Sequence, residues 1–170
     1  MKERNLEQKK TLMRIDLIRH GMTRGNEERR YIGITDEPLS ERGRKLAEQC
    51  MYEMPEIVFS SPLKRCVETA EILYPDQDIY ITEELRECDF GIFEGKNAEE
   101  LSKTEAYQRW IDSNATIPFP GGESREGFRS RCLLGWKKVN FCLPRAAKKV
   151  CRCRDTRWCD YEFDGDRHSV

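Results

Sequence analysis

The stretch Ile15-Asp16-Leu17-Ile18-Arg19-His20-Gly21-Met22-Thr23-Arg24-Gly25-Asn26 decides how the rest of the chain is read. Ile15, Leu17 and Ile18 form a short apolar run that ends on a cation and an imidazole, with a glycine directly after. A buried strand that delivers side chains to the open end of a sheet has this pattern. In open α/β sheets, ligands bind beyond the carboxyl ends of the strands. His20 is therefore a candidate nucleophile and Arg19 a candidate anion clamp. A structural histidine at a strand end is the plainer alternative.

Downstream, apolar runs and helical stripes alternate. Residues 33–39 read as loop. Ser40 is a suitable N-cap for a helix that carries Leu46, Ala47, Cys50, Met51 and Met54 on one face and stops at Pro55. Ile57-Val58-Phe59 is a short strand. Ser61 as cap and Pro62 as first residue then open a helix with Leu63, Cys66, Val67, Ala70 and Leu73 on its buried stripe. Ile79-Tyr80-Ile81 is a third strand, and Leu85 to Gly95 is loop. Two polar helices are expected around 97–103 and 104–112. The turn Phe119-Pro120-Gly121-Gly122-Glu123-Ser124 leads into a long helix with Phe128, Cys132, Trp136, Val139 and Leu143 on one face. Alternating strands and helices predict an α/β fold, a parallel sheet flanked by helices on both faces.

The totals narrow the class. The chain has 170 residues, with Lys plus Arg at 30 and Asp plus Glu at 31, a net charge of -1. That length supports one domain with a real core. The balance gives no face-wide positive excess, so no nucleic-acid partner is expected. No run approaches the roughly 20 apolar residues of a membrane span. The polar N-terminus has no apolar signal region, so the expectation is a cytoplasmic protein without a membrane partner. Residues 1–12 read as a disordered extension, with Met13 an alternative start, and 13–149 as the domain.

Two further segments bear on chemistry. Ser60-Ser61-Pro62-Leu63-Lys64-Arg65 puts Arg65 in the first helical turn after a strand. A helix N-terminus is a ready anion site, and a guanidinium is a planar fork suited to phosphate oxygens. A solvated surface arginine is the alternative. Leu85-Arg86-Glu87 follows a strand and offers Glu87 as a proton donor to a leaving oxygen. A solvated loop glutamate is the alternative there.

Arg19-His20-Gly21-Met22-Thr23-Arg24-Gly25-Asn26, the 33–40 segment Gly-Ile-Thr-Asp-Glu-Pro-Leu-Ser, the 60–70 segment, Leu85-Arg86-Glu87 and Pro120-Gly121-Gly122-Glu123-Ser124 come in a fixed order. In that order they resemble the histidine phosphatase superfamily, which includes the cofactor-dependent phosphoglycerate mutases. The 31–39 wording and the short path from Glu87 to the Pro-Gly-Gly-Glu-Ser turn resemble its alpha-ribazole phosphatase branch, which acts in cobalamin nucleotide-loop assembly. The resemblance implies phosphomonoester hydrolysis through a phosphohistidine at His20. It implies that Arg19, Asn26 and Arg65 hold phosphoryl oxygens and that Glu87 acts as general acid and base. The implied partner is a small phosphorylated metabolite, with no cofactor and no metal.

The family's second histidine, in a Thr-His-Gly-Gly-like turn after a late strand, has no counterpart here. Beside His20 the chain has only His168, with no strand pattern before it. Residues 150–161 are neither apolar nor periodic, so a C-terminal strand and the helix after it are expected to be missing. Two readings of this tail compete. One is a metal site from Cys151, Cys153, Cys159 and His168, whose spacing departs from common zinc modules. The other is a slip of reading frame. Read from the second base, with arginine codons beginning CG, the codons of 151–161 permit Ala-Ala-Val-Val-Thr-His-Gly-Gly-Val-Ile-Met. Trp158 then forces a glycine, and Lys148-Lys149 is a natural slip site. On this reading 150–170 is an aberrant tail, and activity is impaired.

Overall fold

The computed structural model describes residues 11–143 and 147–154. In chain order the helices and strands are β1 (Thr11–Ile18), α1 (Arg24–Glu27), α2 (Glu41–Glu48), β2 (Val58–Ser60), α3 (Lys64–Leu73), β3 (Ile79–Ile81), α4 (Ala98–Ser102), α5 (Glu105–Asp112), α6 (Arg125–Cys142) and β4 (Ala147–Arg154). Single 3-10 turns occupy Glu83–Leu85 and Gly91–Phe93. The chain forms two compact units, Met1–Arg19 with Leu143–Val170, and His20–Cys142. No described helix is long and apolar enough to cross a membrane.

In the first unit β1 and β4 pair in parallel, from Thr11 opposite Ala147 to Ile18 opposite Arg154. The expected loss of a strand after residue 149 is therefore corrected: Ala147–Arg154 is a strand. Pairing along a ladder uses main-chain groups, and these eight residues contain no proline that would delete a donor. The missing helix, the frame-slip turn, and Cys159 and His168 of the metal reading fall outside the described residues. So do the side chains of Cys151 and Cys153.

The second unit carries β2 and β3, also a parallel pair, from Val58 opposite Ile79 to Ser60 opposite Ile81. Parallel neighbours need a crossover, and α3 supplies it. Ser40 caps α2 as expected, its Oγ accepting from the Gly43 N–H at 3.0 Å. The helix is shorter than the apolar pattern predicts. The Gln49 and Cys50 N–H groups reach back three residues, to Leu46 O and Ala47 O, which tightens and ends it. Met51 and Met54 are consequently exposed, at 92% and 60%.

The start of α3 also differs. Leu63, not Ser61, is the N-cap, and it offers no side-chain oxygen. Asp36 substitutes from a distant loop, its Oδ1 accepting from the Lys64 N–H at 2.7 Å. The helix buries Arg65 and Thr69 along with Ala70, so its inner face is partly polar.

The loop after β3 packs on α4 and α5 through an aromatic core. Phe93 and Leu101 are fully buried and Tyr107 nearly so, with Tyr31, Phe90, Trp110 and Phe119 against them. Phe93 meets Tyr107, Trp110 and Phe119 edge to face, at ring separations of 5.4, 5.8 and 6.0 Å. Such edge contacts place the positive rim of one ring on the negative face of another. On α6 the expected stripe faces inward, with Val139 buried, while Leu133 and Leu134 are half exposed.

Candidate active site

The site is built where the segment after β1 meets the first turns of α3. Arg65 is the centre, a fully buried arginine at 1% exposure. Each of its three guanidinium nitrogens donates. Nη2 donates to the Gly33 carbonyl at 2.6 Å and Nη1 to the Thr35 carbonyl at 2.8 Å. Nε points at His20 Nε2, 3.2 Å away.

That last contact fixes the imidazole. A guanidinium N–H can only donate, so His20 Nε2 must present its lone pair. The proton then sits on Nδ1 and donates to the Gly21 carbonyl at 2.7 Å. The neutral ring is thus held in the tautomer whose Nε2 carries the lone pair. Gly21 is tied back to the same helix. Its N–H donates to Thr69 Oγ1 at 2.9 Å, and that hydroxyl donates to the Arg65 carbonyl at 2.6 Å. Thr69 lies four residues after Arg65, on the same helical face.

The other expected residues are placed as follows. Asn26 forms a capping box at α1: its Oδ1 accepts from the Thr23 N–H at 3.2 Å and its own N–H donates to Thr23 Oγ1. Its Nδ2 remains as a donor. Glu87 Oε1 accepts from the Cys88 N–H at 2.8 Å. Burial pushes the Cys66 thiol up, Arg65 pulls it down, and the charges of Glu87 and Asp36 push it up again. Glu87 therefore lies within electrostatic reach of the residue that follows Arg65. Arg19 is exposed and ends the first unit, directly before His20 in the chain. The anion at the start of α3 is the chain's own Asp36, which also pairs with Lys64 Nζ at 3.5 Å.

Residues that sequence reasoning passed over hold these groups in place. Arg131 on α6 donates to the carbonyls of Glu84, Arg86 and Glu87, at 3.0, 2.8 and 3.3 Å. Glu123 orients it through a two-oxygen pair at 3.0 and 2.6 Å. The Arg131 guanidinium holds the Glu123 carboxyl below its ordinary range. The only signal in the sequence was Glu123 in the Pro-Gly-Gly-Glu-Ser turn, eight residues before Arg131. Among the described residues no group of three or more His, Cys, Asp or Glu is arranged to hold a metal ion.

The profile of the histidine phosphatase superfamily (branch 1) matches residues 15–140. Phosphoserine phosphatase 1 of Hydrogenobacter thermophilus is 34% identical over 121 residues, 66% of this chain and 57% of that protein. The Escherichia coli O1:K1 protein named Probable phosphoglycerate mutase GpmB is 34% identical over 128 residues, 71% of this chain and 60% of its own length. The chain thus spans less than two thirds of the curated relatives it matches. The alpha-ribazole phosphatase structure from Shigella flexneri superposes with a TM-score of 0.65 at 23% identity, covering 82% of this chain and 71% of that one. That likeness shows a shared α/β, phosphoglycerate mutase-like fold. With the family profile covering most of its length, the chain belongs to the histidine phosphatase superfamily.

Proposed function

We propose that this chain is a phosphomonoesterase that works through a phosphohistidine on His20. One observation carries the reading: His20 Nε2 presents a lone pair at 3.2 Å from the Nε of a buried arginine. A nucleophile beside a fixed planar cation is what in-line attack on a phosphoryl group needs.

In the first step His20 Nε2 bonds to phosphorus, and the bond from phosphorus to the ester oxygen breaks. The Arg65 Nε–H turns from the lone pair to a phosphoryl oxygen. Arg19 and the Asn26 Nδ2 take other oxygens. Glu87 gives its proton to the leaving alkoxide. In the second step Glu87 removes a proton from water, the water oxygen attacks phosphorus, and the bond to Nε2 breaks. Phosphate leaves and His20 returns neutral. The cationic side chains supply the positive field, so the reading needs no metal or cofactor.

A small phosphorylated metabolite is the substrate class. Alpha-ribazole 5'-phosphate is the first compound to try, supported by the 31–39 wording and the short path to the Pro-Gly-Gly-Glu-Ser turn. Turnover is proposed to be impaired, because no second histidine stands in the described site. One missing preorganised donor costs about a hundred- to a thousandfold in rate. The likeness to a phosphoglycerate mutase favours a second reading, in which an alcohol accepts the phosphoryl group instead of water. Labelled phosphate from a phosphomonoester separates the cases. Release as inorganic phosphate supports the phosphatase, and transfer to an added alcohol supports the mutase. Binding without any phosphoenzyme reduces the chain to a phosphate-ligand binder and defeats both.

A further inference from the structure

One carboxylate beside the site has no part in the reaction above. Glu94 follows the Gly91–Phe93 turn. Its Oε2 accepts from the Gly33 N–H at 3.1 Å, the Thr35 N–H at 3.4 Å and the Thr35 hydroxyl at 2.5 Å. Its Oε1 accepts from the Ile34 and Phe90 N–H groups, both at 3.0 Å. Three successive main-chain donors converging on one anion form a nest, a geometry that otherwise gathers a phosphate or a free carboxylate. Here the chain's own glutamate fills it.

The same short loop has a second side. The carbonyls of Gly33 and Thr35 are the acceptors for Arg65 Nη2 and Nη1. The loop therefore bridges a carboxylate and a guanidinium, and the guanidinium in turn sets the His20 lone pair. Hydrogen bonds in series polarise one another, so the anion drawing on the Ile34 N–H strengthens the Gly33 carbonyl of the same peptide unit as an acceptor. The loop has no slack against this anchor. A methyl group on Gly33 would stand 2.0 Å from the Cys88 carbonyl oxygen and 2.4 Å from Glu94 Oε1.

We propose that Glu94 is a positioning residue: it clamps the 33–35 loop so that Arg65 points its Nε–H at the reacting nitrogen of His20. The inference rests on the reading of His20 and Arg65 as the phosphoryl-transfer pair, and it adds a residue that touches neither substrate nor phosphorus. Glu94→Gln keeps the size but replaces one oxygen with an NH2 group that faces main-chain donors. The clamp loosens and the Arg65 fork swings.

The test reads the free protein first. In 15N-histidine-labelled chain, the His20 Nε2 resonance of Glu94→Gln moves toward that of a nitrogen with an unbonded lone pair. The rate of His20 phosphorylation by p-nitrophenyl phosphate falls at least about tenfold, against wild type under the same conditions. A folded Glu94→Gln with an unmoved Nε2 resonance and a rate within about twofold of wild type overturns the proposal. Should that variant fail to fold, Thr35→Val removes one donor from Oε2 and leaves the carboxylate in place. A smaller shift in the same direction supports the clamp, and no shift overturns it. If wild type itself forms no phosphoenzyme, the phosphatase reading fails while the resonance still decides the role of Glu94. A purely structural Glu94 would lower stability and leave Nε2 of the folded protein where it was.

Discussion

Replacing Arg65 with lysine tests whether the guanidinium's shape, and not its charge alone, makes the site. Lysine keeps the positive charge but brings one compact ammonium on a flexible stem. It cannot reach Gly33 O, Thr35 O and His20 Nε2 together, three acceptors now served at 2.6, 2.8 and 3.2 Å. Two of the three bonds are lost. A hydrogen bond to a charged group contributes about 1.5–3 kcal/mol, and the lower end suits Thr35, which is solvent-exposed. Arg65→Lys should therefore lose about 3 kcal/mol of stability, read from the midpoint of urea unfolding. The rate of His20 phosphorylation should fall about a hundredfold, because a preorganised donor at the developing charge is gone. Rapid-quench incorporation of labelled phosphate measures it. A variant within about 0.5 kcal/mol of wild type that is phosphorylated at nearly the wild-type rate would refute the reasoning.

Other substitutions probe the supports. Phe93→Ala should destabilise the protein by about 3–5 kcal/mol, since a fully buried ring with three edge contacts leaves a cavity; thermal or urea unfolding checks it. Arg131→Met should free the Glu87 loop and lower stability by about 2 kcal/mol, less than for a wholly buried pair because both partners keep some exposure. Burial first, then the Tyr107 hydroxyl 3.0 Å away, pushes the Tyr31 phenol up to about 12. Between its unfolded value of about 10 and about 12 the unfolded chain binds fewer protons, so this contribution is intact below pH 10 and is lost as pH rises through that window. Absorbance titration should show Tyr31 ionising late, and Tyr107→Phe should bring it down. Among Cys50, Cys66, Cys88, Cys132 and Cys142, exposed Cys50 and Cys142 should react first with a thiol reagent, while buried Cys88, pushed up to about 11, reacts last. The nucleotide sequence from codon 145 onward tests the frame-slip proposal: a second-base frame without His-Gly-Gly rejects it.

Local signals carried the strands and helices well. Ile79–Ile81 is a strand at the expected residues, and the two polar helices fall within a residue or two of theirs. Errors arose where a distant group replaced a local one. Asp36 caps α3 from 28 positions away, so the Ser-Ser-Pro signal misplaced the helix start. The α2 stripe ran past the true end because apolar spacing cannot see the backbone bonds that close the last turn. At β4 polar side chains hid a strand that main-chain pairing could still form. That Arg65 and His20 come together was legible from their places at a helix start and just past a strand end, which α/β folds bring to the same side of the sheet. Thr69 was reachable from its four-residue spacing to Arg65. Glu94 was not, since its five donors come from Phe90 and from a loop some sixty residues earlier.

The central claim is that His20 becomes phosphorylated, and chemical mapping of the phosphoenzyme tests it most directly. Wild type incubated with a labelled phosphomonoester and quenched in alkali should carry an acid-labile, alkali-stable phosphate on the peptide that contains His20, and His20→Ala should carry none. No label on folded wild type, or the same label on His20→Ala, would contradict the account.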